Sequence, residues 1–561
     1  MGPKWKLFAA GLGLVLTGSA LASFVQRSGG VDVRDVRIDI EDGARLSALL
    51  YVPSSATTDT PAPAVLAVHG YINSRETQSG FAIELARRGY VVLALDQIGH
   101  GFSSGRATTQ GFGGPAGLAY LRALPFVDPD NIGLEGHSMG GWAVLQAAAA
   151  YPDAYRSVVL VGSSTGPGFA PEGSPTFPRN LGVVFSRYDE FSQLMWGVRD
   201  AASVTFSDKL KAVFGVTGDV VAGQPYGSPR NGTARWLAMP NTTHPGDHLS
   251  REAIGYTVSW LNLTLEGERE LDVTDQVWYW KEIGTLVALV GGLVLLLGAF
   301  DLLMGLPRFA ALARPGVGTV DGTSGGWWLA LVVTSLIPAL TYFPLTGWGS
   351  ALSANAILPQ GVTNQILVWA LGTGALAVPV VWRRGGFKED NAASKVLLAL
   401  CTVGCLYVAV ALVDLVFTTD LRFWVVALKP MAQHHVPTFL AYLIPFTAFF
   451  YVTQAALHRT LSLRDARPWA HYATGVAATT GGFALMVGAL YATLFATGHL
   501  PDVAGVGALF AVIAIQFKPV LAATGLIAVF AWRRTNGALT GAVVCGLLVT
   551  WYIVAGQATH A

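Results

Sequence analysis

Charge is scarce in this chain of 561 residues. Asp, Glu, Lys and Arg make up 13% of it, about half the share of an ordinary soluble protein. The net charge is +1, so no broad field attracts nucleic acid or an acidic partner. Cysteine is nearly absent. Cys401, Cys405 and Cys545 all fall in apolar segments, which excludes a disulfide framework and a zinc site of spaced cysteines and leaves the redox compartment undecided. The missing charge is unevenly spread. Residues 27–282 read as an ordinary soluble protein, whereas residues 283–555 are mostly apolar runs with short polar breaks. Hydrophobic residues reach 52%, and the length exceeds one compact domain.

Crossing a bilayer takes about 20 apolar helical residues. Leu7–Val25 meets that test between Lys4, Lys6 and Arg27. It exceeds the roughly 7–15 residues of a signal-peptide core, so an uncleaved anchor is expected. Eight further spans are expected near 283–304, 327–345, 363–382, 396–417, 437–457, 472–497, 505–532 and 537–555. Gln516, Lys518 and Pro519 interrupt the seventh of these and predict a kink or break. Basic residues then give one topology by the positive-inside rule. Lys4 and Lys6 place the N-terminus in the cytoplasm. Arg308, Arg314, Arg383, Arg384, Lys388, Lys395, Arg459, Arg464, Arg467, Arg533 and Arg534 follow in cytoplasmic loops. The soluble part lies outside. Three regions are expected: an anchor at 1–26, a soluble domain at 27–270, and a polytopic all-α transmembrane bundle at 277–561. Within the bundle Asp414 and Lys518 are a candidate pair, Asp301 lies at a span end, and His434-His435 reads as a solvated loop.

Residues 31–265 alternate strand-like and helix-like patterns. Val33–Ile40 and Leu46–Val52 flank the turn Glu41-Asp42-Gly43 and predict an antiparallel opening hairpin. Buried strands are expected at Ala64–Val68, Val91–Leu95, Ile132–Glu135, Ser157–Val161, Leu181–Phe185 and Trp236–Met239. Helices fall between them, and a closing helix at 250–263 is capped by Ser250. Such alternation implies an α/β fold, a mainly parallel sheet with helices on both faces.

Gly136-His137-Ser138-Met139-Gly140 fits G-x-S-x-G, with a strand before it and a helix after it. A sharp turn there lifts the Ser138 hydroxyl out of the sheet as a nucleophile. Val65–Val68 runs into His69-Gly70-Tyr71, which brings a second loop over the serine. The backbone N–H groups of Tyr71 and Met139 are the candidate oxyanion hole. His69 reads as a structural residue shaping that loop. His100 and His137 have no carboxylate at ligand spacing, so no metal and no cofactor is expected.

With His69-Gly70, the stretch Asp96-Gln97-Ile98-Gly99-His100-Gly101-Phe102-Ser103, and Asp128-Pro129-Asp130-Asn131-Ile132 leading into the serine turn, residues 31–265 resemble the α/β-hydrolase superfamily. The lead-in is most similar to the dienelactone-hydrolase and prolyl-oligopeptidase-like branches. The resemblance ends at the apolar half, which resembles no family. It implies the chain order nucleophile, acid, histidine. Asp189, after the strand at 181–185, is the preferred acid, with Asp219 the alternative. His244, in the loop before Ser250, is the preferred base, with His248 the alternative.

These residues imply a membrane-bound serine hydrolase that cleaves a small-molecule or lipid-like ester or acyl bond through an acyl-enzyme. A peptidase-like hydrolase is the second reading. A transporter or sensor with a regulatory hydrolase domain is the third, because eight spans exceed what anchoring needs. The substrate's identity and the oligomeric state are not legible.

Overall fold

The structure, a computed structural model, describes residues 3–40, 43–267, 271–501 and 507–561. The chain opens with helix α1 (Pro3–Gln26). It then runs through β1 (Val31–Asp39), β2 (Arg45–Pro53), β3 (Ala62–Val68), α2 (Ser79–Arg87), β4 (Val91–Leu95), α3 (Gly114–Arg122), β5 (Val127–His137) and α4 (Met139–Ala150). Next come β6 (Ser157–Val161), β7 (Leu181–Val184), α5 (Ser192–Trp196), α6 (Asp208–Phe214), β8 (Arg235–Ala238) and α7 (Arg251–Thr264). The eight strands form one sheet in the order β1-β2-β4-β3-β5-β6-β7-β8. β1 and β2 are antiparallel, as is β2 to β4, and every pairing from β4 to β8 is parallel.

The period of two along β3 explains the layers. Leu66 and Val68 face a core with Leu118, Leu121, Val144 and Leu145 of α3 and α4. Val65 and Ala67 face the opposite core, with Phe81 and Leu85 of α2 and Ile254 and Leu261 of α7. Ser250 caps α7 by accepting the Ala253 N–H at 3.2 Å. Glu41 and Asp42 of the expected turn, and the expected boundary at 270, lie outside the described residues.

The second half is helical: α8 (Trp278–Leu303), α9 (Gly325–Leu340), α10 (Tyr342–Gly349), α11 (Gly361–Arg383) and α12 (Ala392–Phe417). A short hairpin of β9 (Leu421–Phe423) and β10 (Val426–Leu428) follows, then α13 (His435–Leu461), α14 (Pro468–Thr497), α15 (Gly507–Thr535) and α16 (Leu539–Gly556). Among the described residues nine helical spans, α9 and α10 counted together, are long and apolar enough to cross a membrane. α1 lies along α8 with the two backbones in close approach. A methyl group on Gly18 would meet the Gly284 carbonyl at 2.5 Å, the small-residue contact that lets apolar helices associate.

Three expectations change. α15 runs unbroken through Pro519, while the break falls between α9 and α10, three residues after Pro338. There Trp369 Nε1–H donates to the Pro338 carbonyl at 2.8 Å and satisfies an acceptor at the kink. Polar residues also pair differently. Asp301 is held by the Arg534 guanidinium, and Asp414 forms no ion pair with Lys518 among the described residues. His435 opens α13 and is buried; only His434 of that pair is exposed.

The hairpin β9–β10 joins the two halves. Lys429, just after it, pairs with Glu76 of the sheet domain at 3.0 Å, both side chains buried, and lies 4.4 Å over the Phe102 ring. Burial opposes charge on Glu76, but Lys429 and Arg75 outweigh it and hold that carboxyl well below its usual range. Removing one partner of a buried pair strands the other. Lys429→Met is therefore expected to cost about 3 kcal/mol, seen as a lower unfolding temperature of the full chain. Glu76→Gln/Lys429→Met should recover much of that loss, and no recovery would show that the pair is not the cause.

Candidate active site

β5 ends at His137, and the chain reverses at Ser138 with φ 54° and ψ −122° before α4 begins. A non-glycine residue takes a positive φ only when its surroundings impose it. Here the Ser138 N–H donates to the Val161 carbonyl at 2.8 Å, and its own carbonyl accepts the Gly141 N–H at 2.9 Å. Gly140 closes the turn. A methyl group there would sit 2.0 Å from the Val68 carbonyl, so α4 can lie this close to β3 only without a side chain.

β3 leads into the loop over the serine. A methyl group on Gly70 would come within 3.1 Å of Ser138 Cβ, which places the Gly70-Tyr71 peptide beside Ser138. His69 shapes this loop. Its Nδ1–H donates to the Gly70 carbonyl at 2.7 Å, and its Nε2 accepts the Gln97 N–H at 3.0 Å. Burial pushes its pKa down to about 4, so it stays neutral.

Asp189 lies in the turn after β7 and His244 in the loop after β8, both buried. Asp189 Oδ2 faces His244 Nδ1 at 2.9 Å, while its Oδ1 accepts the Phe191 N–H at 2.8 Å. This pairing directs the proton to Nδ1 and leaves Nε2 as the basic nitrogen. The backbone of His244 is held at both ends. Its N–H donates to Glu190 Oε2 at 2.8 Å, and its carbonyl accepts from His137 Nε2–H at 2.9 Å. The Phe191 ring packs 4.5 Å from the imidazole. Burial disfavours the imidazolium, but the charge of Asp189 and its hydrogen bond, with Glu190 and Asp247 behind, raise the His244 pKa above its ordinary 6.5.

Asp219 is not brought to this cluster. It lies on an exposed turn, paired with Lys211 at 2.9 Å. His248 is buried, its ring 4.1 Å from that of His137, and burial pushes its pKa down to about 3. Sequence reasoning missed Glu190, Asp247 and Tyr491. Glu190 binds the His244 backbone and also accepts from the Tyr491 hydroxyl of α14 at 2.7 Å. Burial, then the neighbouring Asp189 charge, lifts its pKa to about 7. Asp247 accepts from the Ser186 hydroxyl, and burial pushes its carboxyl well above the usual carboxylate range. The only sequence signal was a second acid beside Asp189.

The helical half covers the carboxyl ends of the strands, where ligands of open parallel sheets bind. After β3, Ile72 packs into the core of the bundle and the Tyr71 hydroxyl meets His560 Nε2 at 3.2 Å. After β4, Gly99 and Ala107 pair with Thr559 through backbone hydrogen bonds of 2.9 and 2.7 Å. After β7, Tyr188 packs on Phe495 and Glu190 meets Tyr491. After β8, the Pro245 carbonyl accepts from Trp424 Nε1–H at 3.0 Å.

The family model of the alpha/beta hydrolase fold matches residues 63–196. The sheet-bearing domain is an α/β-hydrolase. Curated relatives match over about a fifth of the chain. An uncharacterized protein of Mycobacterium tuberculosis is 33% identical over 123 residues, 22% of this chain and 43% of the relative. A quorum-quenching protein of Acinetobacter baumannii is 33% identical over 122 residues, 20% of this chain and 39% of the relative. The chain thus spans less than half the length of these relatives. Among solved structures, an epoxide hydrolase from an endophytic Streptomyces is 25% identical, covering 24% of this chain and 39% of that one, with a TM-score of 0.20.

The pairing of Asp189 with His244 can be read through the reactivity of Ser138. Asp189→Asn is expected to slow modification of Ser138 by a fluorophosphonate on the order of 10³–10⁴-fold. Asp219→Asn should leave the rate within about twofold, as surface changes usually do. The reverse ranking would exchange the two acids.

Proposed function

We propose that the protein is a membrane-bound serine hydrolase of ester or acyl bonds, with Ser138, His244 and Asp189 as its triad. The observation that carries this is the 2.9 Å contact between Asp189 and His244, together with a serine held at a positive φ at the end of β5. In this reading His244 Nε2 takes the Ser138 proton as the oxygen attacks the acyl carbon. The N–H groups of Tyr71 and Met139 receive the negative charge that develops on the carbonyl oxygen. His244 then returns its proton to the leaving group, and water, activated by the same imidazole, releases the acyl group from Ser138.

The sequence places the hydrolase domain outside the cytoplasm and anchors it through α1. The nine apolar helices support a membrane location. The bundle lies over the catalytic edge in the place of a lid, which favours a substrate that reaches the site from the membrane.

A fluorophosphonate should label the wild-type chain and not Ser138→Ala, and equal labelling would end this reading. Turnover of matched ester and aminoacyl-amide substrates decides between esterase and peptidase action, with the ester expected to be faster.

The pH dependence follows from charge. His244 must be neutral to act as base, so activity is lost as pH falls through its raised pKa. The acid limb of kcat/KM should therefore lie above 6.5. The groups facing this imidazole are Asp189, Glu190, Asp247, His137 and His248. Glu190→Gln removes a negative charge that favours the imidazolium, so the limb should move to lower pH. A shift to higher pH would contradict this electrostatic account.

A further inference from the structure

Three cavities follow one another through the bundle and share walls. The widest, about 240 Å³, is lined by Val333, Leu376, Val380, Trp369, Phe449 and Leu521. The second, about 50 Å³, shares Trp369, Phe449, Phe450 and Leu521 with the first. The third, about 20 Å³, shares Gln516, Tyr552, Ile553 and Gln557 with the second and ends against Ile72, Asn73 and Thr77 of the sheet domain. Common walls make one narrow file. It runs from the middle of the bundle to the loop that directly follows Tyr71.

The chemistry of the file is graded. Around the widest cavity, the Thr453, Thr460 and Thr479 hydroxyls donate to backbone carbonyls at 2.8, 2.7 and 2.9 Å. Their hydroxyl protons go to backbone carbonyls of the same or the neighbouring helix, which leaves a wall that is mostly hydrocarbon. Toward the hydrolase domain the wall gains Gln516, Tyr552, Gln557 and Lys429. The far end opens sideways. Val333, Leu376 and Val380 at its mouth are 43%, 54% and 38% exposed on helices whose outer surface is apolar enough to meet lipid.

We infer that this file is the binding site for one hydrocarbon chain of a lipid-like ester whose carbonyl is presented to Ser138. The inference rests on the triad reading above and names its substrate class. A single saturated chain matches the narrow bore, the apolar wall and the lipid-facing mouth. An ester head matches the polar end. The partition between file and nucleophile is the Tyr71-Ile72 segment. Ile72 sits there at φ 55°, which is strained for a β-branched residue by about 1–3 kcal/mol. A second opening beside the triad, lined by Asp189, Phe191, Leu194, Arg199, Thr493 and His499, is wider and carries charge. It suits departure of the polar product.

The test uses the full chain in lipid nanodiscs and a fluorophosphonate bearing a long alkyl chain with a terminal diazirine. After attachment and illumination, cross-linked peptides are mapped. Attachment to Ser138 with cross-links in 366–370, 446–450 or 513–521 is the expected result. Attachment to Ser138 with cross-links only in 189–199, 493–501 or the nanodisc lipid overturns the chain site and leaves the hydrolase reading intact. Failure to attach to Ser138 overturns both. A second measurement compares nitrophenyl esters of long and short acyl chains. Val549→Phe, which narrows the middle cavity, should lower the long-to-short ratio of kcat/KM about tenfold. An unchanged ratio counts against the chain site.

Discussion

Gly140 stands so near the end of β3 that a single added carbon would reach the Val68 carbonyl at 2.0 Å. That close approach lets α4 begin directly beneath the loop carrying Tyr71, with Ser138 at the crest between them. The positive φ of Ser138, the depth of Gly70 against its Cβ and the two candidate oxyanion donors all follow from it. A side chain at Gly140 would push the helix from the sheet and separate Ser138 and the two candidate donors from one another. The sheet order, with β3 beside β5, supplies the frame on which this contact is built.

The imidazole side of the site depends on a different kind of constraint. His244 comes from a loop, and loops need holding. Its backbone is fixed by Glu190 at the N–H and His137 at the carbonyl, and its ring by Asp189 and Phe191. Glu190 in turn accepts from Tyr491, so a helix of the bundle is tied by two hydrogen bonds to the backbone of the candidate base. The buried Glu76–Lys429 pair and the Thr559 strap add further ties. The two halves therefore form one working surface. The bundle touches the loops after β3, β4, β7 and β8.

Much of this was legible in the chain because its causes are local. Apolar runs of about 20 residues mark helices in lipid whatever their neighbours, and the expected spans agree with the helices to within a few residues. Alternating strands and helices give a parallel sheet with covered faces, and glycines around Ser138 mark a turn that other residues cannot make. The departures have non-local causes. The kink at Pro338 rather than Pro519 depends on what Trp369 offers from another helix. Asp219 follows an apolar stretch as Asp189 does, yet it lies on the surface beside Lys211. Glu190 and Tyr491 are 301 residues apart, and no pattern along the chain links them.

The sequence by itself determined the fold class, the nine apolar helices and the sharp turn at Ser138. Each is encoded by short-range periodicity or by backbone conformations open to few residues. Only the tertiary structure decided which acid faces His244, what holds that histidine, and that the bundle covers the catalytic edge with a file of cavities reaching the Tyr71 loop. Those features depend on distances between segments from about fifty to several hundred residues apart. Such distances are set by packing the whole chain into one volume and by no stretch of it alone.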